Sequence, residues 1–243
     1  MNDILELIDR ENNKRYDNVF EVEKYLKQPY HALRVSLAIK TLDYELNQSF
    51  LKTEKSEIKI LELGGSTGSI SKKIMDLGYN VIVSDKESIP LEVAKKRGLE
   101  CLKFDVNYTF PIENESFDAI FAGEIIEHLY DTELFLSECN RILKNDGILV
   151  LTTPNLATLQ DRIKFLFGIS PKQVDPLHEH LRLHIRPFTY SKLRELLSLH
   201  GFHKYRLTSN YLRLSAINKK IQRFLAKLFP SLGGSLIVSA RKK

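Results

Sequence analysis

The sequence predicts a doubly wound α/β fold around a parallel sheet, and three observations support this prediction. From residue 58 onward, short apolar runs rich in β-branched side chains alternate with stretches of helical periodicity. These runs show little polar alternation, which is typical of strands that are covered on both faces. A Gly-rich segment at residues 64–68 follows the first run. Together these features indicate successive βαβ units.

The predicted elements follow in order along this part of the chain. Apolar side chains three and four residues apart, as at Ile70, Ile74 and Leu77, predict helices between the strands, and Gly78 ends the first of them. The predicted strands lie at residues 58–63, 81–84, 99–104, 117–121 and 147–152. The helices between and after them are predicted at residues 70–77, 91–97 and 135–143.

The two ends of the chain complete the predicted organisation. Residues 1–55 form an N-terminal helical extension or cap, whose clearest apolar stripe runs from residue 30 to 46, and residues 56–243 form the second unit. An insertion at about 155–188, rich in proline and histidine, interrupts that unit. Further helices are predicted at residues 190–197 and 217–229, followed by a closing strand at 233–242.

Composition limits the class of protein. The 243 residues are 43% apolar, which is enough for one well-packed domain with additions. Only two cysteines are present, so a disulfide framework and a thiolate metal site are excluded. The N-terminal residues do not resemble a signal peptide, and no stretch has the roughly 18 apolar residues that a membrane span needs. We therefore expect a soluble, cytoplasmic protein.

Charge is distributed unevenly along the chain. The net charge is +5, yet the 48 residues after Glu195 contain ten basic residues and no acidic one. A basic end on an otherwise acidic body favours an anionic membrane, a nucleic acid or a phosphorylated substrate as its partner. The predicted helix at residues 217–229 has an apolar stripe beside its lysines. Most such helices cover a sheet, and the alternative is a helix that lies peripherally on an anionic membrane.

Polar residues follow three successive predicted strands. The first strand leads into the loop from Glu62 to Gly68, where glycine lets the backbone turn sharply and approach a ligand. Asp85 ends the second strand, 21 residues beyond Gly64, where a carboxylate can accept both hydroxyls of a ribose. Asp105 follows the third strand, within reach of an adenine amino group. Each feature alone also fits an ordinary turn, but the three at one edge predict a nucleoside site.

These residues resemble the class I S-adenosylmethionine-dependent methyltransferases over roughly residues 58–153. The resemblance implies a Rossmann-like, mostly parallel seven-stranded sheet with helices on both faces and an antiparallel last strand. It also implies S-adenosylmethionine as the cofactor. The middle glycine of the family's loop is Ser66 here, so we expect a slightly shifted loop or a hydrogen bond from Ser66. The cofactor-binding residues that the resemblance implies are Glu62, Gly64, Gly65, Gly68, Asp85, Asp105, Val106 and Glu124.

Residues 117–129 resemble a segment of the ubiquinone-pathway O-methyltransferases that ends in Glu-His. The resemblance places His128 beside the methyl acceptor as the catalytic residue, since a neutral imidazole can remove a hydroxyl proton. A purely structural histidine is the alternative. The spacing of Glu124, Glu127 and His128 predicts that they share one helix face. Some related enzymes hold a divalent cation with such a set, and His184 best matches a further ligand. A structural role for these residues is favoured, and no metal is assigned.

The segment from His184 to Thr189 resembles the stretch that precedes the last large helix of these methyltransferases. We expect Arg186 and Phe188 to dock the insertion on the core.

The predicted function is transfer of a methyl group from S-adenosylmethionine to a small-molecule or lipid-linked acceptor, through a hydroxyl. One alternative is an RNA 2′-O-methyltransferase, which the basic C-terminal region favours, although nucleic acid is the less favoured partner. A nicotinamide-dependent oxidoreductase would share the Gly-rich loop and the ribose-binding acid. A non-catalytic module that binds S-adenosylmethionine is the third alternative.

Overall fold

The computed structural model describes residues 19–175, 177, 184–212, 214 and 217–243. In these ranges, every strand and helix predicted above corresponds to an observed element. In chain order the strands are β1 (Lys59–Leu63), β2 (Asn80–Asp85), β3 (Glu100–Lys103), β4 (Phe117–Gly123), β5 (Leu143–Pro154), β6 (Phe202–Thr208) and β7 (Ser235–Lys242). The α-helices are α1 (Val19–Lys27), α2 (Pro29–Ser49), α3 (Ser69–Met75), α4 (Ser88–Lys96), α5 (Thr132–Ile142), α6 (Leu159–Leu166), α7 (Tyr190–Leu199) and α8 (Lys219–Leu228).

The seven strands form one sheet in the order β3-β2-β1-β4-β5-β7-β6. The pairs from β3 through to β5 are parallel, and β7 runs antiparallel to both of its neighbours. The predicted doubly wound sheet with an antiparallel last strand is therefore confirmed. The strand order reverses between β1 and β4, and ligands of such sheets bind at the carboxyl ends of the strands at this point.

Helices cover both faces of the sheet, as predicted. On one face, Ile148 and Val150 of β5 share an apolar cluster with Leu42 of α2. On the other face, Leu149 packs in a cluster with Phe135 of α5. Because alternate side chains of a strand point to opposite faces, the central strands must be apolar at nearly every position. This explains the continuous apolar runs in the sequence.

Helix α6, within the predicted insertion, was not located from the sequence, and neither was strand β6. This strand lies at the edge of the sheet, where Lys204 and Arg206 face outward. Its pairing with β7 shifts register between His203 and Arg206, and Lys204 has a left-handed φ of 50°. Such a bulge interrupts the two-residue period on which strand prediction depends.

The described part of the N-terminal region packs on the sheet. Helix α2 contacts β5 and β7 and contributes to the same core, while residues 1–18 lie outside the described ranges. A bridge between Asn155 and Phe188 joins the two ends of the predicted insertion, of which residues 176 and 178–183 are not described. The division of the chain at residue 55 stays a prediction.

Among the helices described here, none is long and apolar enough to cross a membrane.

Candidate functional site

The Gly-rich loop after β1 makes the sharp turn that the sequence predicts. Gly64 and Gly68 have left-handed φ angles of 66° and 68°. A Cβ on Gly64 would lie 2.4 Å from Ile125 Cδ1, and one on Gly65 would lie 2.3 Å from Val83 Cγ2. Both the backbone conformation and the lack of space therefore require glycine here.

Ser66 takes the left-handed conformation at the position where the family has glycine. Its φ is 50°, a conformation that typically costs a residue with a Cβ on the order of 1 kcal/mol or more. The backbone N–H of Ser66 donates to Asp85 Oδ2 at 2.9 Å. Its buried Oγ has no hydrogen-bond partner among the described residues. Among the described residues, the hydrogen bond expected from this side chain is therefore not made.

The ends of β2 and β3 lie beside this loop. Asp85 accepts hydrogen bonds from the backbone N–H of Ser66 and, at 3.0 Å, from that of Glu87. Burial raises the pKa of the Asp85 carboxyl above its ordinary value. Asp85 pairs in register with Lys103 of β3, so Asp105 follows two residues beyond that pair. The loop and both aspartates thus share one rim of the sheet.

Glu62 is buried beneath the loop. Its Oε2 accepts hydrogen bonds from the backbone N–H of Ser71, at 2.8 Å, and from the Ser71 hydroxyl. Burial raises the pKa of the Glu62 carboxyl from 4.5 to about 7. Glu62 therefore ties β1 to α3 and stabilises the loop between them. Ser71 was not identified from the sequence, where it is one serine within a helical stripe.

Glu124 directly follows β4 and joins two other elements. Its Oε2 accepts from Arg34 of α2 at 2.7 Å, and its Oε1 accepts from Thr152 Oγ1 of β5 at 2.9 Å. Arg34 is buried within the apolar stripe of α2. No local pattern links Arg34 or Thr152 to Glu124, because the contacts join positions 90 and 28 residues apart.

The prediction that Glu124, Glu127 and His128 share one helix face is wrong. Glu124 has a left-handed φ of 55°, and only Ile126–His128 form a short 3-10 turn. The left-handed residue turns the chain out of β4, and Glu124 contacts α2 through Arg34.

Glu127, His128 and His184 come together instead, with one potential ligand atom from each lying within 4.8 Å of the others. The rings of His128 and His184 are 4.9 Å apart in an edge arrangement. Glu127 Oε2 accepts from Thr153 Oγ1 at 3.0 Å, whereas its buried Oε1 has no partner among the described residues. Burial and the negative charge of Glu124 raise the pKa of Glu127 well above its ordinary value. One carboxylate and two imidazoles form a donor set that suits a divalent cation.

The end of the insertion docks on the core, as predicted, and it lies beside this cluster. The backbone N–H of Arg186 donates to Glu127 O at 3.1 Å, and its guanidinium donates to Tyr130 O at 2.9 Å. Phe188 is buried in the main apolar cluster. These contacts bring His184 to the site.

Arg97 is a further residue that sequence reasoning missed. Its guanidinium donates to Thr67 O at 3.0 Å and to Ser69 Oγ at 2.6 Å, and it also pairs with Glu23 of α1. Arg97 thereby holds α1 against the Gly-rich loop. Its sequence position just after α4 carries no signal of this contact.

Comparison with known proteins identifies a family to which part of the chain is similar. Residues 61–151 match a family described as a methyltransferase domain. The ubiquinone biosynthesis O-methyltransferase of Pelagibacter ubique is 33% identical over 115 residues, covering 46% of this chain and 48% of that protein. The mitochondrial ubiquinone biosynthesis O-methyltransferase of Bos taurus is 34% identical over 131 residues, covering 48% of this chain and 35% of that protein. The chain thus spans half or less of the length of these relatives.

Among solved structures, a SAM-dependent methyltransferase from Thermotoga maritima superposes with a TM-score of 0.63 at 18% identity. The superposition covers 95% of this chain and 100% of that one. At this identity the likeness concerns the fold, which is the Rossmann-like methyltransferase fold.

Proposed function

Because the chain contains an S-adenosylmethionine-dependent methyltransferase domain, we propose that it transfers the methyl group of this cofactor to a hydroxyl of a small or lipid-linked acceptor. The observation that carries the proposal is the hydrogen bond between Ser66 N–H and Asp85 Oδ2. This bond brings the Gly-rich loop and the carboxylate of the next strand to one point of the rim. The unpartnered Ser66 hydroxyl at the same point supports a ligand there.

In this proposal each rim residue contacts or supports a different part of the cofactor. Asp85 accepts hydrogen bonds from the ribose hydroxyls, through lone pairs that its backbone donors leave free. Asp105 and the buried Val106 contact the adenine. The glycines of the loop let its backbone approach the cofactor, while Glu62 and Glu124 hold the loop and the end of β4 in place.

His128 removes the acceptor proton in this proposal. S-adenosylmethionine supplies a methyl group on a sulfonium, whose carbon–sulfur bond breaks as the oxygen–carbon bond forms. The hydroxyl proton passes to a ring nitrogen of His128, which neutralises the acceptor oxygen's developing positive charge. Holding the acceptor in line and excluding water is the larger task of the site.

A hydroxyl acceptor is supported by the relatives that are named as ubiquinone biosynthesis O-methyltransferases. The nicotinamide alternative is set aside, because the matched family and the relatives are methyltransferases. RNA 2′-O-methylation keeps the support of the basic C-terminal region, and binding to RNA that weakens with salt would favour it.

A divalent cation fits the cluster of Glu127, His128 and His184, although the sequence favoured a structural role for these residues. The unpartnered Glu127 Oε1 at this cluster supports the fit. With a cation held there, His128 would serve as a ligand instead of as the base, and the cation would lower the pKa of an acceptor hydroxyl that it binds.

Calorimetric titration with S-adenosylmethionine, S-adenosylhomocysteine and NAD tests the proposed cofactor site. We expect the wild type to bind the first two and not NAD. Asp85→Ala removes the carboxylate that accepts hydrogen bonds from the ribose hydroxyls, so binding of S-adenosylmethionine should weaken by about 10- to 100-fold. Asp85→Asn, which retains an acceptor for Ser66 N–H, should weaken it less. The exposed Asp76→Asn is the matched control and should bind as the wild type does.

Unchanged affinity in Asp85→Ala would remove Asp85 from the site, and binding of NAD alone would overturn the assignment. The acceptor class is tested by release of S-adenosylhomocysteine with a prenylated catechol and with histamine. Turnover with the amine but not with the phenol would contradict a hydroxyl acceptor.

A further inference from the structure

Helix α8 exposes its large apolar side chains. Gln222 and Ala226 are its buried residues, whereas Ile221, Phe224 and Leu228 are 52–62% exposed. These three side chains are spaced three and four residues apart and form one stripe. The expectation that this stripe covers the sheet is therefore wrong, because the helix rests on the protein through a different face.

Helix α6 and the turn that follows it expose a second apolar surface. Phe165 is 67% exposed, Leu166 83% and Phe167 77%. Large exposed apolar patches of this kind mark interaction sites in soluble domains. We call the two surfaces together the apolar rim, which consists of Ile163, Phe165, Leu166, Phe167, Ile169, Ile221, Phe224, Leu228 and Phe229.

The two parts of the apolar rim arise at the same point of the sheet. Helix α6 follows the end of β5, and α8 precedes the start of β7, where Pro154 pairs with Ser235. Asn155 Nδ2 donates to Ser231 O at 3.0 Å and to Gly233 O at 2.7 Å. Since the carboxyl end of β5 belongs to the rim that carries the candidate site, the apolar rim lies beside that site.

Basic side chains accompany the exposed apolar ones. Helix α8 contains four basic residues and no acidic one, within a C-terminal stretch of 48 residues that is free of acids. On α6, Arg162 and Lys164 flank Ile163, and the acidic Asp161 is buried in a capping interaction with Thr158. The basic residues of α8 are Lys219, Lys220, Arg223 and Lys227.

We propose that the apolar rim docks on an anionic lipid bilayer, with its phenylalanines and leucines among the upper acyl chains and its basic side chains at the headgroups. Apolar side chains beside lysine and arginine are the pattern of helices that lie in the membrane interface. A second copy of the chain fits less well, because a symmetric contact brings the basic residues of both α8 helices together. RNA fits less well, because five of the nine side chains of the apolar rim are leucine or isoleucine, which provide neither phosphate contacts nor base stacking.

The sequence suggested only the basic C-terminal helix as a membrane contact. The structure shows in addition that α6 exposes apolar side chains and which face each of the two helices exposes. The functional consequence of this docking, delivery of a lipid-linked acceptor from the bilayer to the neighbouring site, rests on the proposed function. Docking itself can be measured without methyl transfer, so failure of one proposal leaves the other testable.

The test is co-sedimentation of the full chain with vesicles of phosphatidylcholine mixed with phosphatidylglycerol, and with vesicles of phosphatidylcholine alone. We expect binding to the anionic vesicles that weakens with salt. Phe165→Ser with Phe224→Ser should reduce the partition coefficient by about tenfold or more, because two inserted side chains are lost. The matched control is Leu51→Ser with Leu199→Ser, which changes two equally exposed apolar side chains elsewhere.

A second pair of variants separates charge from apolar insertion. Replacing the four basic residues of α8 by glutamine should weaken binding, whereas the same replacement of Lys72, Lys73, Lys95 and Lys96 should have a smaller effect. The chain has no tryptophan, so Phe224→Trp gives a single reporter whose emission should shift to shorter wavelength on anionic vesicles. Leu199→Trp should show no shift.

Any of four results would overturn the proposal. The wild type would fail to sediment with anionic vesicles, or the apolar variants would bind as well as their control. Alternatively, ultracentrifugation would show a dimer that the Phe165→Ser and Phe224→Ser changes dissociate, which would make the apolar rim an interface between copies. Tight RNA binding that depends on the basic residues of α8, but not on Phe165 and Phe224, would assign the surface to RNA instead.

Discussion

Glu62 lies at a motif position that implies a functional role, yet the contacts that its side chain makes are structural. Its position in the loop motif implies cofactor binding, and that role stays a prediction. In the structure its buried carboxylate accepts two hydrogen bonds from Ser71. Burial raises its pKa to about 7, against the opposing effect of those hydrogen bonds.

This shifted pKa predicts a pH-dependent stability. The folded state holds the Glu62 proton more tightly than the unfolded state, so ionisation at higher pH disfavours folding. Below about pH 4.5 both states are protonated and Glu62 has no effect; above about pH 7 its effect is complete. Glu62→Gln removes this titration. Relative to the variant, the wild type should lose up to about 3 kcal/mol of unfolding free energy across that window.

Urea unfolding of both proteins between pH 4.5 and 8 measures this difference, with the exposed Glu100→Gln as the matched control. A difference between wild type and Glu62→Gln that stays constant with pH would show that Glu62 remains ionised throughout.

At the scale of elements, α8 shows why an amphipathic pattern does not identify the face that is buried. Gln222 Nε2 donates to Leu214 O and Ile217 O, both at 2.7 Å, and its Oε1 accepts from Leu214 N–H at 3.2 Å. These bonds satisfy backbone groups that precede the helix, and they turn a polar side chain inward. The sequence correctly predicted an apolar stripe along α8. Which face of the helix packs on the protein depends on the contacts of Gln222.

We therefore predict that, in α8, replacing the polar Gln222 destabilises the protein more than replacing the apolar Phe224. Gln222→Ala removes three hydrogen bonds to backbone groups and should cost about 2 kcal/mol of unfolding free energy. Phe224→Ser changes an exposed side chain and should stay within about 0.5 kcal/mol of the wild type. Chemical unfolding of the two variants checks this. A larger loss in Phe224→Ser would mean that the phenylalanine, not the glutamine, holds α8 in place.

At the scale of the whole molecule, the candidate site exists because neighbouring strands end at one rim. The Gly-rich loop, Asp85 and Asp105 were located from the sequence, because each lies at a fixed offset from a recognisable strand. The contact between Arg34 and Glu124 could not be located, since α2 reaches the rim only after it packs across the sheet. The same holds for His184, which the docking of Arg186 and Phe188 brings to His128.

The cluster that this docking assembles predicts a cation site. Binding of Mn²⁺, followed by electron paramagnetic resonance, should be detectable in the wild type. It should weaken at least about tenfold in Glu127→Gln, which removes a charged ligand. The exposed Glu133→Gln is the control. Absence of Mn²⁺ binding in the wild type, or equal binding in Glu127→Gln, would return these residues to the structural role that the sequence favoured.

The sequence by itself determined the sheet's βαβ order, the position of the Gly-rich loop and two of the carboxylates at its rim. These features follow from local periods of two and 3.6 residues and from backbone conformations that favour glycine. Only the tertiary structure decided which partners Glu124 and Glu127 have, where β6 lies and which face α8 exposes. Those outcomes depend on contacts between segments that are distant in the sequence. The packing of the whole chain sets the geometry of these contacts, so no local sequence pattern predicts them.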